Sequence, residues 1–600
     1  MPENLLELAA QSLARFADRP LFGEQVDGAW RWLTYGEWQQ QVDALRAGLV
    51  ALGVRAGDRV AIVSRNSAAW ATAAYATYGL GATFVPMYEA QRPDDWEFIL
   101  RDCGAVAVFG RTPAITDAIR AMQPRLPALR HIVTIDATGP GSLATLVEPA
   151  ATPPAPAALA PDDIAGLIYT SGTTGVPKGA LLSHRNLTSN VVACLGGFPV
   201  TSEDRTISFL PWAHVYGQVV ELHILVAAGA STAFNTDTDR LLDDLRTVRP
   251  TMLVAVPRIF NKLHLNVRAQ MARRPRVIRG VFERGLDASR RRRRGEPLEL
   301  RARLALWLAG FLFALVRRKL GGKLKYAISG SATLSREVGE AIDALGIDVY
   351  EGYGLTEASP IVTMNSPGCR KLGSVGRPIA NVTVEIDPTR GETPGEGEIV
   401  VHGPNVMKGY HARPEEEARV FTADGGLRTG DLGRLDEDGF LFITGRIKEQ
   451  YKLENGKYVM PSPLEERLAL SPFIRNVMLH GASRPYNVAL VGIDGAQIRS
   501  WAAERGITLG PDLTQDDAVR DLIQGELDRG ARDFRPYERP VDCLLTEAPF
   551  TVENGLLTPT LKLRRRTVVA RFGAALDALY DAPHPVMIAP AALQPALAAH

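Results

Sequence analysis

Six hundred residues are more than one hydrophobic core usually serves, so two or more domains are expected. With 68 basic and 67 acidic residues the net charge is +1, which excludes a chain given over as a whole to nucleic acid but leaves room for local basic patches. The four cysteines, Cys103, Cys194, Cys369 and Cys543, lie far apart without metal-ligand spacing and read as the reduced thiols of a cytoplasmic protein.

The opening stretch, MPENLLELAAQSLARF, carries Glu3 and Glu7 where a signal peptide needs basic residues, so no export is expected. From Thr34 helical and strand signals alternate. Val42, Leu45, Leu49 and Leu52 recur at helical spacing, and Gly53 follows as a stop. Arg59–Ser64 reads as a strand, then an Ala-rich helix, then a strand at Thr83–Pro86. This alternation predicts a parallel sheet covered by helices. An Ala/Pro linker spans Ala151–Pro161, and a second alternating region runs from Asp204 to Tyr353. After Gly373 the segments VTVEI, GEIVVHG and GFLFITG predict a small β-barrel-like subdomain. A smaller α+β segment follows Arg446, and an Ala/Pro-rich tail from 581 to 600 is expected to be disordered.

Leu304–Val316, LALWLAGFLFALV, is apolar but shorter than the roughly 20 residues a bilayer span requires. Arg290–Arg294, Arg301 and Arg303 precede it, and Arg317, Arg318 and Lys319 follow. Two readings stand at this level: a helix in a membrane interface with basic flanks on anionic headgroups, contacting lipid through 301–319, or a helix buried against the protein.

Several strings carry chemistry. YTSGTTGVPKG, Tyr169–Gly179, runs an apolar strand into a loop of glycines and hydroxyl residues that ends in Lys178. Glycines allow backbone N–H groups to turn inward as an anion-binding nest, and hydroxyls and a lysine add donors and charge for phosphates. The spacing is not that of a Walker A loop. LPWAHVYGQVVEL (210–222), SGSATLS (329–335), YEGYGLTE (350–357), RTGDLG (428–433), GRIKE (445–449) and GLLTPTLKLRRR (555–566) follow in that order.

In this order and form the strings resemble the adenylate-forming superfamily of acyl-CoA synthetases, adenylation domains and luciferases, over about residues 10–570. LP-x-AH and TPTLK are most similar to the long-chain acyl-CoA synthetase branch. The resemblance implies an α/β fold with a large N-terminal domain (1–445) of two helix-covered, mainly parallel sheets plus the β-barrel-like subdomain. A hinge at 446–449, centred on Lys448, would then lead to a small mobile α+β lid (450–580).

It further implies ATP, Mg²⁺ and coenzyme A as reactants and a long-chain fatty acid as substrate. Phosphates would meet Thr170, Ser171, Gly172, Thr173, Thr174, Gly175 and Lys178. Adenine and ribose would meet Gly330, Ser331, Glu351, Gly352, Tyr353, Gly354, Asp431 and Arg446, and Thr356 would hydrogen-bond phosphate. Glu357 and Thr170 would hold Mg²⁺, a cation that favours oxygen ligands in phosphate company. His214 would stand where acid and nucleotide meet. Lys562 would serve adenylation; Lys452, with Gly456 and Lys457, would serve thioester formation. Some long-chain relatives place a gating Trp four residues after the histidine, where this chain has Gln218. Alternatives at this level are a ligase for medium-chain or aryl acids, one that loads a carrier protein, and a silent lipid-binding relative. The oligomeric state is not legible.

Overall fold

The computed structural model describes residues 2–147, 153–170, 177–235, 237, 240–332, 334–391, 394–552, 554–558 and 562–581. The predicted loop residues Ser171, Gly172, Thr173, Thr174 and Gly175 and the tail beyond 581 lie outside them. The chain divides into two units, Met1–Lys448 and Glu449–His600.

In the first unit the early alternation becomes a six-stranded sheet ordered His131–Thr134, Ala107–Gly110, Arg59–Val63, Thr83–Met87, Ile164–Thr170, Lys178–Ser183. All neighbours are parallel except the last pair, an antiparallel hairpin. Alternate residues of a strand point to opposite faces. Val60, Ile62, Phe84 and Phe109 therefore join one core with Trp70, Tyr75 and Tyr78 of the helix Ala68–Tyr78. Ala61, Val63, Val85 and Val108 join another with Trp96, Ile99 and Leu100 of Pro93–Cys103. Strands buried on both faces must be apolar throughout, which explains RVAIV and TFVPM. The helix predicted from Val42, Leu45 and Leu49 spans Tyr35–Ala51, started by a reciprocal Thr34–Glu37 capping box.

A five-stranded sheet sets Met252–Ala255, Tyr326–Ser329 and Asp348–Gly354 in parallel and adds two antiparallel strands, Ile361–Met364 and Arg377–Pro378. A third, mixed sheet was not foreseen. It pairs Pro20–Val26 with Ser231–Phe234 across some two hundred residues, with Ala29–Thr34 and Arg205–Ser208 outside them.

The expected barrel-like subdomain needs correction. Thr383–Asp387, Gly397–His402, Leu427–Leu435 and Leu441–Arg446 form an open antiparallel sheet in which the first and last strands do not pair. Four strands are too few to close round a filled interior.

The second unit has its own cores on the two faces of a three-stranded sheet, Ile474–His480, Asn487–Ile493 and Pro540–Thr546. Among the described residues no helix is long and apolar enough to cross a membrane. All four cysteines are unpaired.

Candidate active site

The antiparallel hairpin Ile164–Thr170/Lys178–Ser183 sets Thr170 opposite Lys178, so the ends of the glycine-rich loop share one sheet edge. Thr170 is half-buried and Lys178 is buried. The segment 408–411 runs along the outer hairpin strand: Leu181 N–H donates to Gly409 O at 2.9 Å and His411 N–H to Gly179 O at 2.8 Å. This pairing delivers two residues that the sequence did not single out. Glu416 forms an ion pair with the Lys178 ammonium, which holds the Glu416 carboxyl below its ordinary range. The Lys178 Nζ also lies 5.6 Å from the centroid of the Tyr410 ring.

Tyr410 reaches in the other direction to Glu357. Its hydroxyl donates to Glu357 Oε1 at 2.7 Å, and Met407 N–H donates to the Glu357 carbonyl at 2.9 Å. Burial, then the adjacent Glu357 carboxylate, pushes the Tyr410 phenol far up, so it stays a protonated donor. A cation and a hard carboxylate from two motifs far apart in sequence thus meet on one aromatic side chain. Glu357 sits in a short turn, Thr356–Ala358, immediately after the strand Asp348–Gly354.

That strand carries a second cluster. The Tyr353 hydroxyl donates to Asp431 Oδ2 at 2.8 Å, and Arg446 Nε donates to Asp431 Oδ1 at 2.6 Å. Asp431 and Arg446 are cross-strand partners, so sheet register sets their pairing. Asp431 is 3% exposed, and its neighbour Gly430 adopts φ +73. Burial, followed by the Asp431 charge, pushes the Tyr353 phenol far up.

A third group surrounds Glu351. Parallel register sets Ser329 beside Glu351, and Leu334 N–H donates to Glu351 Oε2 at 3.3 Å, which ties the SGSATLS loop to the YEGYG strand. Burial raises the Glu351 carboxyl to about 7, against the opposing pull of amides at Leu334 and Gly373. Ser331 adopts φ +70. A Cβ at Gly330 would lie 2.6 Å from Tyr216 Cζ, so the absent side chain lets this loop press on the LPWAHVYG segment. There His214 caps the turn Val215–Gln218, accepting from Tyr216 N–H at Nδ1. Gln218 is buried and donates to Tyr78 Oη at 3.1 Å.

The glycines of YEGYG need a closer reading. A Cβ at Gly354 would fall 2.0 Å from the Pro360 carbonyl oxygen, and one at Gly352 3.2 Å from that of Thr363. Packing inside the protein therefore already demands glycine at 354.

The remaining expected residues belong to the second unit. Lys452 pairs with Tyr458 across a two-stranded hairpin, its Nζ 5.3 Å from that ring. Gly456 makes the turn at φ +84, and Lys457 Nζ lies 4.8 Å from the Tyr537 ring. Lys562 is exposed, with its amide donating to Thr558 Oγ1 at 3.1 Å.

Among the described residues no group of three or more His, Cys, Asp or Glu could hold a metal alone. Glu357 and Thr170 instead offer two hard oxygen donors, a set that fits a cation bringing phosphate oxygens and water with it.

Comparison with known proteins places the chain in a family. The family description "AMP-binding enzyme" matches residues 9–411. The chain is 33% identical over 582 residues to the long-chain-fatty-acid–CoA ligase FadD15 of Mycobacterium bovis, covering 94% of this chain and 95% of that one. It is 31% identical to the peroxisomal long chain acyl-CoA synthetase 7 of Arabidopsis thaliana, over 92% of this chain and 82% of the other. Among solved structures, the adenylation domain of a carboxylate reductase from Mycobacterium chelonae matches with a TM-score of 0.78 at 25% identity, over 96% of this chain and 91% of that one.

Proposed function

The chain belongs to the AMP-binding enzyme family, and from that premise we propose that it activates a long-chain fatty acid with ATP and passes the acyl group to coenzyme A. The observation that carries this reading is the contact chain Lys178–Tyr410–Glu357, which gathers a cation and a metal-ready carboxylate beside the loop whose ends are Thr170 and Lys178.

In the first step the fatty carboxylate attacks the α-phosphate, and pyrophosphate departs. Negative charge collects on phosphate oxygens, so the protein contributes position and cations rather than a nucleophile. Lys178 leaves Glu416 to meet phosphate. Thr170 and Glu357 would hold Mg²⁺, whose chemistry is neutralisation of triphosphate charge. Tyr410 holds Glu357 in place. Asp431, oriented by Tyr353 and Arg446, accepts from the ribose hydroxyls, and the Gly330–Ser331 and Glu351–Tyr353 segments flank adenine. His214 stands at the junction of acid and nucleotide.

In the second step the CoA thiol attacks the acyl carbon of the adenylate and AMP leaves. The second unit bears both Lys562, for adenylation, and Lys452 with Gly456–Lys457, for thiolation. One domain with two such surfaces suits a pivot about residues 446–449 between the half-reactions. The acid partitions into lipid, which suits work beside the inner face of a membrane.

The test is ATP–pyrophosphate exchange and loss of free CoA thiol, measured across acids of increasing chain length. Both activities should peak with long-chain acids. Exchange without thiol loss would mean another acceptor, and no exchange with any acid would overturn the reading. Lys562→Ala should abolish exchange yet spare thioester formation from supplied acyl-adenylate; equal loss of both would refute the pivot.

A further inference from the structure

The helix Leu300–Lys319 resolves the two readings of the greasy segment by satisfying half of each. Its inner face is packed. Ala309, Phe313 and Val316 are buried with Phe282 and Leu345. Phe282 of the neighbouring helix Arg276–Arg293 meets Phe313 edge to face at 5.6 Å. The helices touch so closely at Gly285 that a Cβ there would fall 2.0 Å from that of Ala309. Arg317 closes the C-terminal end by donating to Leu345 O at 2.7 Å.

The outer face is bare. Leu300, Leu304, Trp307, Leu308, Phe311 and Leu315 are between 40 and 82% exposed, and they are six of the ten large exposed apolar residues among those described. At 3.6 residues per turn they occupy one stripe about 100° wide, opposite the packed face. Single exposed apolar residues are ordinary, but a continuous stripe of six, with Trp307 and Phe311 in edge contact at 5.5 Å, is not.

Charge selects the partner. From 276 to 319 the sequence holds thirteen Arg or Lys and four Asp or Glu, whereas the whole chain is nearly neutral. Arg301 and Arg303 stand exposed at one end of the stripe and Arg318 and Lys319 at the other. We propose that this stripe is a lipid-docking face, inserting its leucines and aromatics into the acyl-chain boundary of an anionic bilayer while the flanking basic side chains meet phosphate headgroups. The helix lies along the surface, since its opposite side is already committed to the protein. This inference goes beyond the ligase reading and is measured without any turnover.

The experiment is co-sedimentation of the full chain with vesicles of phosphatidylcholine alone or with phosphatidylglycerol added. Binding to the anionic vesicles is expected, falling as salt is raised. The exposed-face variant Trp307→Ser/Phe311→Ser should bind at least about tenfold more weakly, because interfacial affinity scales with the apolar area inserted. Arg301→Gln/Arg303→Gln/Arg318→Gln should abolish the preference for anionic lipid. A thermal midpoint equal to that of the parent shows that the variants fold. Absence of binding to the anionic vesicles, or unchanged binding by the serine variant, would overturn the proposal. So would sedimentation showing a dimer that the serine variant dissociates, since the stripe would then be a contact between copies of the chain.

Discussion

Replacing Tyr410 by phenylalanine removes a single hydroxyl while leaving the buried ring that faces Lys178. The lost contact is a 2.7 Å hydrogen bond to the Glu357 carboxylate. Hydrogen bonds to charged groups contribute about 1.5–3 kcal/mol. Glu357 is half-buried, so water replaces part of the bond and the lower end applies. About 1.5 kcal/mol corresponds to roughly tenfold in kcat/KM for ATP. The assay is ATP–pyrophosphate exchange with a long-chain acid, run for Tyr410→Phe, Glu357→Gln and the double variant. If Tyr410 acts by orienting Glu357, the double variant should be no worse than Glu357→Gln alone, because the two changes cut the same interaction. Independent, additive losses would refute the positioning role. Exchange in Tyr410→Phe within twofold of the parent would refute it too.

Other outcomes follow from the same geometry. Asp431→Asn keeps an acceptor for Tyr353 but turns an amide toward Arg446; the KM for ATP should rise by about tenfold with a smaller change in kcat, read from steady-state exchange kinetics. Gly354→Ala should lower the unfolding midpoint and the yield of folded protein, since its Cβ would meet the Pro360 carbonyl; an unaffected midpoint would show that the backbone there yields freely. Glu351 titrates near 4.5 when unfolded and about 7 when folded, so the native state holds more protons between those values. Stability therefore falls as pH rises through that window, by at most about 3 kcal/mol, and levels off above it. Glu351→Gln should flatten this dependence in denaturant melts at pH 5 and pH 8; an identical slope would exclude Glu351 as its source.

The parts of the site legible from sequence are those written as contiguous strings. YEGYGLTE is such a string, because the strand Asp348–Gly354 and the turn that carries Glu357 follow one another directly in the chain. The alternation of helical and strand signals likewise announced the parallel sheet, since strands separated by helices pair in parallel beneath them. Tyr410 and Glu416 were invisible by comparison. They sit in an ordinary stretch, KGYHARPEEE, and their meaning arises only when that stretch pairs with the edge of Lys178–Ser183. A Gly-Tyr pair followed by three glutamates was the available signal, and nothing local distinguished it from a surface turn.

Local pattern thus determined which segments become helix or strand, which strings resemble the adenylate-forming motifs, and that residues 304–316 are apolar between basic flanks. Tertiary structure decided the rest. It joined strands two hundred residues apart into a third sheet, left the expected barrel open, brought Lys178 and Glu357 onto one tyrosine, and buried one side of the Leu300–Lys319 helix while baring the other. Each of these depends on contacts between residues remote in the chain, and such contacts impose no periodicity on the sequence that forms them.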